Sequence, residues 1–240
     1  MDQLRLIFVL DILDGVTVHA VGGMRDSYRP VHLSSKIVDD SDPIAVISAV
    51  RPDETYIADL NAITQTSEHS SSASLIPQIR ERGGTRVMLD MGVRSGEDLE
   101  LASRIADSVV IGTETASLEL IEHASGKGVF LSIDIRNGEV LTSDHRLKAP
   151  PLGLLDLMNS FELEGIIILN LSHVGMKKGL DTRFIEQAVG RSDHPILVGG
   201  GIRGVHDLDL LGQIGVEGAL VATAVHDGSI PLHLISHRAR

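Results

Sequence analysis

With 240 residues, 42% of them hydrophobic, the chain holds enough apolar material for the core of one large α/β domain or two small ones. Its 33 acidic against 21 basic residues leave a formal charge of -12, which argues against nonspecific association with nucleic acid or an anionic membrane, so an anionic ligand must be held by a local site. There is no cysteine, which excludes disulfides, thiolate catalysis and cysteine-ligated metal; the 11 histidines are scattered without ligand spacing, and neither metal nor cofactor is expected.

The N-terminal "MDQLRLIFVLDILDG" meets acidic residues at once and lacks a small-residue cleavage pattern, so it reads as a first strand and not as a signal peptide. No apolar run approaches the roughly 20 residues of a membrane helix, and a soluble cytoplasmic protein is expected. Short β-branched runs then recur in order: "LIFVLDI", "TYIADL", "RVMLDM", "SVVIGT", "VFLSIDI", "GIIILNL", "PILVGG" and "GALVATA". Their near-continuous apolar character suits parallel strands buried on both faces. Segments such as "SGEDLELASRIA" and "GVHDLDLLGQIG" carry apolar residues at helical spacing behind acidic first turns, as crossover helices do. The Ser-rich stretch 64–74 reads as a polar loop after the second strand.

Three phrases occur twice in the same order. "LDILDGVTV" pairs with "IDIRNGEVL", "YIADLNAI" with "IIILNLSH", and "MGVRSGEDL" with "GGIRGVHDL". A duplicated four-stranded half gives an eight-stranded (β/α)8 TIM barrel, an α/β fold, here one domain over 1–240 with half-barrels of about 1–125 and 126–240. A doubly wound open sheet is the alternative.

Such barrels carry their sites at the carboxyl ends of the strands, which makes Asp11, Asp59, Asp90, Asp134 and Asn170 candidates. An isolated strand-end Asp commonly caps a loop by bonding nearby backbone. Asp11 and Asp134, however, hold equivalent places in the first and fifth strands, on opposite sides of the mouth, where two carboxylates can divide into general acid and general base. Gly199, Gly200 and Gly201 with Thr223 supply the loops after strands 7 and 8, the usual phosphate position; a plain tight turn is the competing role. The first half offers Gly92, Gly112 and Thr113, but with Asp90 and Met91 where the other cradle has glycines, and a carboxylate repels a dianion unless protonated or paired.

The ordered set "VLDILDGVTVHAVGG", "YIADLNA", "GVRSGEDL", "VVIGTETA", "SIDIRNG" and "GGGIRG" resembles the family of phosphoribosylformimino-5-aminoimidazole carboxamide ribotide isomerase, the histidine-biosynthesis barrel, and its sister, the cyclase subunit of imidazole glycerol phosphate synthase. The resemblance implies an Amadori rearrangement by two aspartates on a substrate with a phosphate at each end, and the family's first aspartate matches Asp11. Its second lies after strand 6 in a phrase of the type T-D-x-x-x-D-G-T. The matching "LNLSHVGMKKGLD" places Asn170 for the first Asp, Val174 for the catalytic one and Met176 for the Thr. His19 stands where the isomerase usually has Arg, and Ala222 where a glycine often begins the last phosphate turn. A valine cannot transfer a proton, so Asp134 or His173 is the expected second group, with Lys177 and Lys178 either holding an anion or facing solvent.

One intact cradle and one altered one imply a ligand with a single phosphate. The expected function is an isomerase-type enzyme, diverged from the histidine-pathway isomerase, acting on a small phosphorylated aminosugar or heterocycle precursor. A non-catalytic phosphometabolite-binding or regulatory barrel, and a cyclase- or lyase-type enzyme of cofactor biosynthesis, are the alternatives. No nucleic-acid or membrane partner is expected, and no motif addresses oligomeric state.

Overall fold

The computed structural model describes residues 4–65 and 72–236. The eight apolar runs form β1 (Arg5–Leu13), β2 (Glu54–Asp59), β3 (Arg86–Asp90), β4 (Ser108–Gly112), β5 (Val129–Arg136), β6 (Gly165–Asn170), β7 (Ile196–Gly199) and β8 (Gly218–Val221). Each pairs in parallel with the next. Because β8 also pairs with β1, Arg5 opposite Gly218 and Phe8 opposite Val221, the sheet closes into a (β/α)8 TIM barrel and the open-sheet alternative is ruled out.

Strand side chains alternate between the barrel interior and the helices. The interior takes one large residue from every strand: Ile7, Tyr56, Met88, Val110, Phe130, Ile167, Leu197 and Leu220. Their neighbours, among them Phe8, Ile57, Leu89, Ile111, Leu131, Ile168 and Val198, face outward into the larger apolar layer under the helices. Both faces are buried, so the strands read as unbroken apolar runs.

Three short antiparallel strands, absent from the sequence reading, extend this frame. Val16–His19 folds back on β1, Arg29–Pro30 pairs with Val16–His19, and Glu139–Val140 folds back on β5. The two foldbacks turn through Asp14–Gly15 (φ 53° and 77°) and Asn137–Gly138 (φ 54° and 82°). Positive φ at both central residues is the type I′ hairpin that Asp-Gly and Asn-Gly favour. These turns fall at matching places in the "LDILDGVTV" and "IDIRNGEVL" repeat.

Crossover helices Pro43–Val50, Ile76–Gly83, Gly96–Ile105, Leu118–Ala124, Pro151–Met158, Thr182–Arg191 and Val205–Ile214 follow β1 to β7 in turn. None of the described helices is long and apolar enough to cross a membrane. The Ser-rich segment is only partly a loop among the described residues: Thr64 ends a short helix, Leu60–Thr64, and Ser72–Ser74 is a 3-10 turn, while 66–71 lie outside them. Gly96–Ile105 starts on a reciprocal cap, the Asp98 amide donating to Ser95 Oγ (3.2 Å) and the Ser95 amide to Asp98 Oδ2 (3.0 Å). Ser95→Ala is expected to cost about 1 kcal/mol, read as a lower urea midpoint at unchanged m-value.

Candidate functional site

Strand parity decides which strand-end polar residues reach the mouth. Asp11 follows Ile7 and Val9 on the inner face, Asp90 follows Met88, and Asp134 follows Phe130 and Ser132, so all three carboxyl groups line one cavity at the carboxyl end of the barrel. Asp59 and Asn170 have the opposite parity. Asp59 is buried and accepts from the amides of Ala62 (3.2 Å) and Ser72 (2.6 Å), the loop-capping role. Asn170 faces a separate apolar cleft outside the barrel wall.

On the first-half side the backbone donors are occupied by the protein's own carboxylates. Asp90 Oδ1 accepts from the Gly92 amide at 3.0 Å and Oδ2 from the Tyr56 hydroxyl at 3.0 Å. Asp134 Oδ1 accepts from Ser132 Oγ at 2.7 Å, and its Oδ2 from the Glu114 amide at 3.2 Å. A Cβ on Gly112 would lie 3.0 Å from Asp134 Oδ2 and 3.5 Å from Asp90 Oδ2, so the missing side chain is what lets the two carboxylates flank β4. Thr113 is fully buried, its hydroxyl accepting from the Asp134 amide at 3.0 Å. Gly92 packs against Ile63, and the Arg94 guanidinium bonds the carbonyls of Ala62, Ile63 and Gly92. Gly92, Gly112 and Thr113, the candidates of the altered first-half cradle, do not line the cavity.

Above these carboxylates Arg25 reaches across from the β1 loop and grips Glu114 with two bonds, 2.7 and 2.6 Å. Burial pushes Asp11 up to about 7; the Arg25 charge opposes the rise and Asp90 adds to it. Burial likewise takes Asp134 to about 7, with Asp90 adding, and Asp90 to about 6 against the lowering bonds from Gly92 and Tyr56. Three carboxyl groups poised near neutrality in one cavity can exchange protons with a bound molecule at physiological pH. Asp11 keeps part of its surface open to that space.

The second-half side differs. Gly199, Gly200, Gly201, Ala222 and Thr223 all line the cavity. The glycines at 200 and 201 also have a packing reason: both have φ of 90°, and a Cβ would come within 2.4 Å of the Asn170 carbonyl oxygen and 2.5 Å of that of Gly179. Thr223 begins a short helical turn whose preceding residue, Ala222, supplies no side-chain cap. His19 Nε2 sits 3.2 Å from Thr223 Oγ1, and its Nδ1 lies 3.1 Å from Ser34 Oγ. Burial lowers its pKa, and burial also takes His226, behind the turn, down to about 4.

The β6 loop splits the remaining candidates. Val174 faces the cavity, whereas His173 lines the apolar cleft with Asn170 and places its Nδ1 3.2 Å from the Gly179 carbonyl. His173 is thus not brought to Asp11. Lys177 lines the cavity and is pinned to Asp227 (2.6 Å) and Ser229 (2.8 Å), while Lys178 is exposed. Arg25, Tyr28, Tyr56, Glu114 and Arg136 also line the cavity and were missed from sequence. Tyr56 could have been found by parity with Asp90 across β2 and β3; the others reach the mouth from irregular loops or a strand end and follow no period.

The profile of the histidine biosynthesis protein family matches residues 5–231. An uncharacterized protein of Methanocaldococcus jannaschii is 32% identical over 239 residues, 98% of this chain and 99% of its own. The 1-(5-phosphoribosyl)-5-((5-phosphoribosylamino)methylideneamino) imidazole-4-carboxamide isomerase of Methanopyrus kandleri is 28% identical over 170 residues, 66% of this chain and 70% of its own. The isomerase of the same name from Thermus thermophilus is 31% identical over 150 residues, 59% of this chain and 63% of its own. With the match running from the first residue of β1 to beyond β8, the chain belongs to the histidine biosynthesis protein family.

Proposed function

We propose that the protein is an isomerase-type enzyme acting on a small metabolite with a single phosphate, an aminosugar or heterocycle precursor, with Asp11 and Asp134 as its proton-transfer pair. One observation carries this reading. The Gly92 and Glu114 amides of the first half donate to Asp90 and Asp134, whereas Gly201, which the repeat sets against Gly92, and Ala224, which follows β8 as Glu114 follows β4 when "VVIGTE" is laid on "ALVATA", donate to no carboxylate among the described residues. The related isomerases are named for a substrate with two phosphoribosyl groups; here the barrel's own carboxylates take one of the two matching sets of donors. Phosphate on the other set would be held by the turns at Gly199–Gly201 and Ala222–Thr223, with His19 beside it. In the isomerisation one carboxyl group removes a proton from a carbon and the other delivers one elsewhere in the molecule, so composition is unchanged.

A carboxylate placed in the cradle tests the reading. Ala222 has an ordinary φ of -133°. Gly201, by contrast, would be strained by any side chain. Ala222→Asp is expected to weaken binding of sorbitol 6-phosphate at least tenfold by calorimetry with no loss of melting temperature. Unchanged affinity would remove phosphate from this cradle. Val174, in the cavity where the family has its aspartate, favours one second reading, a barrel that binds a phosphometabolite without turning it over.

A further inference from the structure

Arg136 ends β5 two residues beyond Asp134 and lines the cavity. Its Nη2 donates to the Gly23 carbonyl of the β1 loop at 3.2 Å, its Nε is buried without a partner, and it makes no ion pair among the described residues. Three acids that line the same cavity are engaged elsewhere. Both oxygens of Asp134 are taken by Ser132 and the Glu114 amide, both of Asp90 by Gly92 and Tyr56, and both of Glu114 by Arg25. Arg136 therefore lines the cavity with unused donors, bonded to none of Asp11, Asp90, Asp134 and Glu114 among the described residues. A partly buried cation with unused donors is costly without an anion, and the planar fork of arginine matches a carboxylate through two parallel bonds.

We propose that Arg136 binds a carboxylate of the substrate, at the end remote from the phosphate, which makes the substrate class a phosphorylated carboxylic acid. The proposal rests on the single-phosphate reading above. A second phosphate suits this end poorly. Its backbone donors already serve Asp90 and Asp134, and a dianion would face those carboxylates. A carboxylate brings one charge and needs only the fork.

The test uses two six-carbon probes that differ only at carbon 1, 6-phosphogluconate with a carboxylate and sorbitol 6-phosphate with a hydroxyl, and fructose 1,6-bisphosphate as a third. Calorimetry on the wild-type protein is expected to give at least tenfold tighter binding of 6-phosphogluconate than of the other two. Arg136→Gln should bring 6-phosphogluconate down to sorbitol 6-phosphate while leaving the latter unchanged, and Arg136→Lys should fall between. Equal wild-type binding of the first two probes overturns the Arg136 proposal and leaves the single-phosphate reading standing, as does an Arg136→Gln protein that loses both monophosphates alike; preference for the bisphosphate overturns both. If none of the three probes binds, the phosphate reading falls and this proposal with it. The wild-type comparison decides the matter even if the variants do not fold.

Discussion

Asp11→Asn will melt roughly 8 to 16 °C higher than the wild type at pH 8, and the difference will largely vanish at pH 4. Asp11 is a carboxyl group on the inner face of the barrel, and burial, with the Asp90 charge adding and Arg25 opposing, raises its pKa from 3.8 to about 7 in the folded chain. A group raised on folding leaves stability intact below its unfolded value and withdraws it as pH climbs through the folded one. Here the loss therefore runs from about pH 4 to pH 7 and is complete at pH 8. A rise of this size corresponds to about 4 kcal/mol, and for a chain of this length each kcal/mol moves the melting temperature by about 2 to 4 °C. The isosteric amide carries no charge and escapes the penalty. The same change should cost proton transfer on the native substrate a factor of about 10² to 10⁴. Melting curves across pH 4 to 8 give the check, and a variant no more stable than wild type at pH 8 would mean that the Asp11 carboxylate is not held at a cost.

The wild-type chain will not support growth of a strain lacking the histidine-pathway isomerase, and Val174→Asp alone will not rescue it. Val174 faces the cavity, so an aspartate there would stand in the right compartment. It would still meet a first half whose donors are engaged by Asp90 and Asp134 and whose flank is closed by Arg94 on the carbonyls of residues 62, 63 and 92. A substrate with two phosphates then finds one cradle. Combining Val174→Asp with Asp90→Gly and Met91→Gly removes the nearer carboxylate and reopens the Gly92 amide, and should raise isomerase activity on the histidine intermediate at least 10²-fold over the single variant. Growth with the unmodified chain would show that the second phosphate is accommodated elsewhere and would end the single-phosphate reading.

How far the site was legible depended on where each residue sits relative to the strand period. Asp11 and Asp134 were found because the repeated phrase puts them at one position in two halves, and the structure keeps that equivalence down to the paired turns at Asp14–Gly15 and Asn137–Gly138. His173 and Val174 are adjacent in sequence but face two different cavities, a division set by the β6 loop packing its backbone on Gly22 through the Val174 carbonyl and on Ala20 at Gly175. Arg25, Glu114 and Arg136 come from the loop after β1, the loop after β4 and the end of β5, and only closure of the barrel sets them around one mouth.

By itself, then, the order of apolar runs determined the eight strands and their helices, and the internal repeat determined the closed barrel and the pairing of Asp11 with Asp134. The strands and helices are periodic and local, produced by physics that acts on neighbours in the chain, and the repeat implied closure only because two copies of a four-stranded half complete a barrel. Which of Asp11, Asp59, Asp90, Asp134 and Asn170 enter the cavity was decided only by the tertiary structure. Both faces of every strand are buried, so alternation between apolar and polar residues carries no mark of inside and outside; the register of the closed barrel turned Asp11, Asp90 and Asp134 inward and Asp59 and Asn170 away. The Asp90 bond to the Gly92 amide spans only two residues, whereas the bond of Asp134 to the Glu114 amide depends on β5 lying beside β4, a pairing that the sequence alone does not register.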